Sequence, residues 1–246
     1  REMGIPVDKI VKLASNENPL GMSPRARAAL QAAMEGIERY PDQFDLTAAL
    51  AERFGVGMEQ IVLGNGSNDV LDLAARVFLA PGRSSVFSRH AFAVYPLATM
   101  SAGGECIVVP AKHYGHDLDA MASAIDDETY VVWIANPNNP TGTMLRSEAL
   151  ESFVKRVPER VLVVIDEAYF SFSGKTFLPF LKWHRNMIIL RTLSKIGLAG
   201  LRVGVLTASK EIVGELNKIR LPYNINTLSQ AAGLVALRHG STLNAQ

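Results

Sequence analysis

The chain has 246 residues, 48% hydrophobic and 20% charged, with 25 basic against 24 acidic side chains and a formal net charge of +1. That balance excludes the basic footprint of a nucleic-acid-binding surface and the polybasic patch of a membrane-surface protein. No apolar run approaches the about 18 residues of a transmembrane helix, and the one cysteine, Cys106, cannot form an internal disulfide, which fits a reducing, cytoplasmic setting.

Residues 1–22, with "KLASNENPLG", read as an irregular arm. The chain opens Arg1-Glu2-Met3 without a secretory leader, and further residues are expected before Arg1 and after Gln246. Ser23-Pro24 supplies an N-cap followed by proline at the first helical position, and "RARAALQAAME" continues with strong helix formers. "YPDQF" breaks that helix, and "DLTAALAERFG" reads as another, with Gly55 just past its end.

From residue 60 strands and helices alternate. Strands are expected at 60–63, 84–88, 106–110, 130–135, 161–166, 187–191 and 202–207. Helices are expected at 68–79, 92–102 (interrupted by Pro96), 117–125, 147–157, 209–220 and 227–239. Several strands are nearly continuous Val and Ile runs, as in a sheet covered on both faces, so the fold class is α/β with a mostly parallel sheet. Cys106 and the aromatics Tyr95 and Trp133 read as packing residues.

In such a sheet ligands bind beyond the carboxyl ends of the strands. The polar signatures stand there: "GNGSND" after the first strand, "NPNNPTG" after the fourth, "DEAY" closing the fifth and "TLSK" after the sixth. "GNGSND" precedes a helix opening near Asn68, where free N–H groups and the positive helix end favour an anion. Asp69 stands where a dinucleotide fingerprint needs a third glycine, and no Gly-Lys-Ser/Thr follows, so a plain tight turn reads equally well.

Asp166 could cap a helix or hold a cationic ring nitrogen, Tyr169 offers a phenol, and Asn139 offers an amide or simply a turn residue. A lysine in a dry pocket loses its charge more readily, and a neutral amine forms a Schiff base with an aldehyde. Lys195 is so placed, and Arg202, opening the next strand, could return to clamp a phosphate. Phe92 could stack on a ring or sit in the core. His113 and His116 lack further ligands and read as a solvated loop rather than a metal pair. Lysine, acid, ring-hydroxyl donors and an anion cradle together fit pyridoxal 5'-phosphate.

"NPNNPTG", "DEAY" and "RTLSK…GLAGLRVG", in that order, resemble the fold-type I aminotransferases, and "KLASNENPLG", "RYPD", "GNGSNDVLDL" and "LPYNINTLSQAA" narrow the likeness to the histidinol-phosphate aminotransferase family. The resemblance implies an α/β/α large domain around a seven-stranded sheet. It assigns Lys195 to the Schiff base, Asp166 to the pyridine nitrogen, Tyr169 and Asn139 to the ring hydroxyl, and Ser67, Asn68, Ser194 and Arg202 to the phosphate. Phe92 falls at the stacking position, Tyr40 at a tyrosine reaching the partner subunit's cofactor, and Asn18 at a position that approaches substrate across the dimer. Lys195 to Arg202 is one residue shorter than in many members.

The implied organisation is an arm (1–22), a helix and connection (23–44), a large cofactor domain (45–225) and the start of a helix leading to a small domain (226–246). The implied reaction is amino transfer between histidinol phosphate and 2-oxoglutarate, giving imidazole acetol phosphate and glutamate, by a cytoplasmic homodimer. Threonine-phosphate decarboxylation and aromatic amino acid transamination are the alternatives that share these motifs.

Overall fold

Apolar strands that need cover on both faces receive it from helices packed on each side. The structure, a computed structural model, describes residues 4–239. Its strands are β1 (Ile61–Asn65), β2 (Ser84–Ser88), β3 (Glu105–Val109), β4 (Thr129–Ala135), β5 (Leu162–Asp166), β6 (Met187–Thr192) and β7 (Val203–Thr207). They form one sheet in the order β1-β7-β6-β5-β4-β2-β3. Only β7 runs against its neighbours β1 and β6; every other pair is parallel. The carboxyl ends of β1, β4, β5 and β6 therefore open on one edge, where β7 begins.

The helices are α1 (Pro24–Ala33), α2 (Phe44–Phe54), α3 (Ser67–Phe78), α4 (Val94–Ser101), α5 (Leu118–Ser123), α6 (Ser147–Arg156), α7 (Phe170–Ser173), α8 (Lys210–Asn217) and α9 (Thr227–Arg238). Their ends follow the local chemistry. Ser23 accepts from the Ala26 N–H at the start of α1, and Gly55 closes α2 at φ 66°. The helix expected from residue 92 starts at Val94, so Pro96 lies in the first turn, where its missing N–H leaves no helix bond unmade.

Alternation along the strands sorts the core. Val131 and Trp133 of β4, Leu162 and Val164 of β5 and Leu190 of β6 meet α3, α4 and α8 on one face. Val132, Ile134, Val163, Ile165, Met187 and Ile189 meet α5 and α6 on the other. Beside these, Ile61, Leu63, Val203 and Val205 pack with α1, α2 and α9. Asp166 shares parity with Leu162 and Val164, which turns its side chain toward α4.

One close approach fixes the start of α3. A Cβ on Gly204 of β7 would collide with the Gly66 carbonyl and the Ser67 N–H. Gly204→Ala is expected to push α3 away from β7 and destabilise the fold by about 1–3 kcal/mol, measured by urea unfolding, because both contacts are backbone.

Candidate active site

The edge where the strand ends meet holds a cavity of about 540 Å³. Ser67 and Asn68 line it from α3, Phe92 from the segment before α4, and Asn139 from the loop after β4. Asp166 and Tyr169 enter from the end of β5, and Thr192, Ser194, Lys195 and Arg202 from β6 and the link to β7. Residues predicted from separate strand ends thus share one wall, because the sheet stacks those ends side by side.

Asp166 is the buried charge of the site, 3% exposed. Its Oδ2 accepts from the Tyr95 hydroxyl at 3.0 Å and its Oδ1 from the Ala168 N–H at 2.9 Å. Burial pushes its carboxyl up to about 6; the Ala168 N–H, the Tyr95 hydroxyl and Lys195 pull the other way, and Glu167 adds to the rise. Lys195 is partly buried. Its Nζ donates to the Ser15 carbonyl at 3.1 Å and lies 5.3 Å from the centre of the Tyr169 ring. The rim of the cavity is formed by exposed Ser15, Asn16 and Glu17.

The other end of the cavity is built for an anion. Gly66, at φ 86°, precedes α3, and no side chain caps the helix. The first-turn N–H groups therefore keep their partial positive charge for a ligand. Arg202 is itself in the left-handed region, at φ 54°, and its guanidinium packs where a Cβ on Gly66 would lie. The short link from Lys195 still delivers it, because Gly197 (φ 86°) and Arg202 turn the chain sharply. Ser194 is buried beside it, its hydroxyl 2.8 Å from that of Thr192. Asp69, the residue in place of a third glycine, accepts from the Asn65 N–H at 2.7 Å and closes the β1–α3 turn.

Two residues that the resemblance assigns to a site shared across a dimer lie outside this chain's own cavity. Asn18 does not line the cavity; its Oδ1 accepts from the Leu20 N–H in a local turn. The arm reaches the cavity through Ser15, Asn16 and Glu17, and Asn16 donates to the Tyr169 hydroxyl at 2.9 Å. Successive positive φ angles at Ser15 and Asn16 turn the arm to that contact. Tyr40 is 80% exposed and stacks on Tyr223, with centroids 4.5 Å apart, outside the cavity.

Two readings are amended inside the fold, and one residue is added. Tyr95 packs as expected, stacked on Trp133, but it also touches the site through Asp166. His116 is buried rather than solvated, with Nε2 donating to the Ala135 carbonyl at 2.9 Å, and burial pushes its pKa down; His113 is exposed. Among the described residues no group of three or more His, Cys, Asp or Glu side chains could hold a metal. Glu167, not singled out by its motif, is wholly buried and paired with Arg191 at 3.0 Å, and its carboxyl is pushed up by burial against the pull of Arg191. A second carboxylate closing a buried strand was the available signal for it.

A lysine, a buried acid and an anion cradle gathered at parallel strand ends are the working parts of a fold-type I transferase, and the chain belongs to the class I and II aminotransferases, whose family model matches residues 8–244. It is 62% identical over 242 residues to histidinol-phosphate aminotransferase 1 of Dechloromonas aromatica (strain RCB), a match that takes in 96% of this chain and 67% of that protein. It is 56% identical over 238 residues to the histidinol-phosphate aminotransferase of Stutzerimonas stutzeri, covering 94% of this chain and 65% of the relative. The chain thus spans about two thirds of the length of these relatives. The crystal structure of histidinol-phosphate aminotransferase from Sinorhizobium meliloti in complex with pyridoxal-5'-phosphate superposes with a TM-score of 0.89 at 29% identity, over 94% of this chain and 65% of that one. Among the described residues no helix is long and apolar enough to cross a membrane.

Proposed function

We propose that this chain carries the cofactor-binding part of a pyridoxal-phosphate-dependent histidinol-phosphate aminotransferase. The observation that carries the reading is the convergence of Ser67 from α3, Asp166 from the end of β5, and Lys195 and Arg202 from the β6–β7 link on one cavity. The residues fit the cofactor: an uncapped helix start beside a guanidinium suits a phosphate, and a buried carboxylate suits a protonated ring nitrogen.

Bound there, pyridoxal phosphate supplies an aldehyde that condenses with amines and a ring that draws electron density from the substrate carbon. Lys195 Nζ would hold the aldehyde. As a free amine the same Nζ would act as the base that takes the proton from the substrate carbon. Asp166 would keep a proton at the ring nitrogen. Tyr169 and Asn139 would hold the ring hydroxyl, and Phe92 would cover the ring face. The N–H groups of Ser67 and Asn68, with Ser194 and Arg202, would hold the phosphate.

We propose further that the chain works as a homodimer in which Tyr40 serves the partner's site and Asn18 approaches its substrate. In support, Phe44, Tyr40, Tyr223 and Leu221 are large, apolar or aromatic, and exposed. The division into an arm (1–22), a connection (23–44), a large domain (45–225) and a helix toward a small domain (226–246) belongs to the same proposal.

The test is an assay of the purified protein with histidinol phosphate and 2-oxoglutarate. Formation of glutamate is the expected result. Carbon dioxide release from threonine phosphate, or turnover of phenylalanine in preference to histidinol phosphate, would replace the proposed substrate.

A further inference from the structure

Tyr95 is wholly buried in the first turn of α4. Its ring stacks on Trp133 of β4, with centroids 5.5 Å apart and planes 9° from parallel, and Phe92 meets its edge at 5.8 Å and 86°. These contacts fix the ring, so the hydroxyl points one way, to Asp166 Oδ2 at 3.0 Å. Among the described residues the phenol has no other hydrogen-bond partner. An ionised carboxylate has no proton to give, so the phenol donates, and that bond favours the charged form of Asp166. We propose that Tyr95 is a positioning residue that holds the Asp166 carboxylate in its orientation and keeps it ionised, and so governs the charge at the cofactor's ring nitrogen. The inference rests on the cofactor reading above.

Several groups act on Asp166 from the surrounding elements. Tyr95 faces it from α4, the Ala168 N–H and Glu167 from its own segment, and Lys195 from beyond β6. The Glu167 charge is tied to Arg191. Tyr169, which also lines the cavity, is bonded through its hydroxyl to Asn16. Burial, followed by the charge of Asp166, pushes the Tyr95 phenol well above its ordinary range, so Tyr95 keeps the proton it donates. Because Asp166 titrates at about 6, one lost hydrogen bond would bring its protonation into the neutral range.

Tyr95→Phe removes the hydroxyl and keeps both ring contacts. In the cofactor-free full chain, infrared titration reads the protonated carboxyl, with Asp166→Asn identifying its band. The midpoint is expected to rise by about one pH unit in Tyr95→Phe, the scale of one hydrogen bond to a charged group. In the holoenzyme the acid limb of the kcat profile is expected to rise with it. Thr99→Val serves as control: Thr99 accepts from Trp133 Nε1 at 3.3 Å and bonds Ser85, within the same packed cluster but away from Asp166. It should leave the midpoint in place. An unchanged midpoint in Tyr95→Phe, or an equal shift in Thr99→Val, would overturn the proposal. Because the titration needs no cofactor, a failure of the cofactor reading shows separately, as absence of cofactor from Lys195.

Discussion

Lys195→Ala is expected to lower amino transfer by about 10⁴-fold or more, because one side chain supplies both the covalent anchor and the base, and general base catalysis alone contributes about 10²–10⁴-fold. The fold should survive. Lys195 is only partly buried, and its ammonium donates to the carbonyl of Ser15, on the exposed arm. Ser67, Asn68, Ser194 and Arg202 remain in place, so phosphate affinity should persist while turnover is lost. Steady-state rates beside thermal unfolding of the same preparation test this. Comparable turnover in the variant would remove Lys195 from the chemistry.

Asp166→Asn is expected to have opposite effects on activity and on the stability of the cofactor-free fold. Burial raises the Asp166 carboxyl from its ordinary 3.8 to about 6. The folded chain therefore binds this proton more tightly than the unfolded chain does. The resulting stability is fully present below about pH 4 and is lost as pH rises through 6. Above pH 6 the ionised group costs the bare fold about 3 kcal/mol relative to a neutral one. Cofactor-free Asp166→Asn should thus unfold at higher temperature than the parent at pH 8, with the difference vanishing near pH 4. Its amide oxygen can accept the Ala168 N–H and its NH2 can donate to the Tyr95 hydroxyl, but it carries no charge for a ring nitrogen, so amino transfer should fall by about 10³-fold, the scale of a lost preorganised electrostatic contact. A variant that is less stable at pH 8, or fully active, would contradict this account of the carboxylate.

Much of this was legible in the chain. Continuous apolar strands followed by polar loops placed Asn139, Asp166, Tyr169 and Lys195 on one edge, because a parallel sheet aligns its carboxyl ends. What the sequence could not show were contacts between distant segments. Tyr95 is separated from Asp166 by 71 positions, and nothing local distinguishes a core tyrosine from one that bonds a carboxylate. His116 sits in a polar loop, yet the fold presses it against the Ala135 carbonyl and buries it. In the arm, the contact of Asn16 with Tyr169 depends on two positive φ angles in an irregular segment, which no periodicity announces. The antiparallel entry of β7 was also hidden, although it is what returns Arg202 to the start of α3.

The central claim is that Lys195 carries the cofactor. Borohydride reduction of the purified holoprotein, followed by peptide mass mapping, tests it most directly. The account expects the pyridoxyl mass on the peptide containing "TLSK", at Lys195, and its loss in Lys195→Ala. A reduced label on a different lysine, or a holoprotein that takes none, would contradict it.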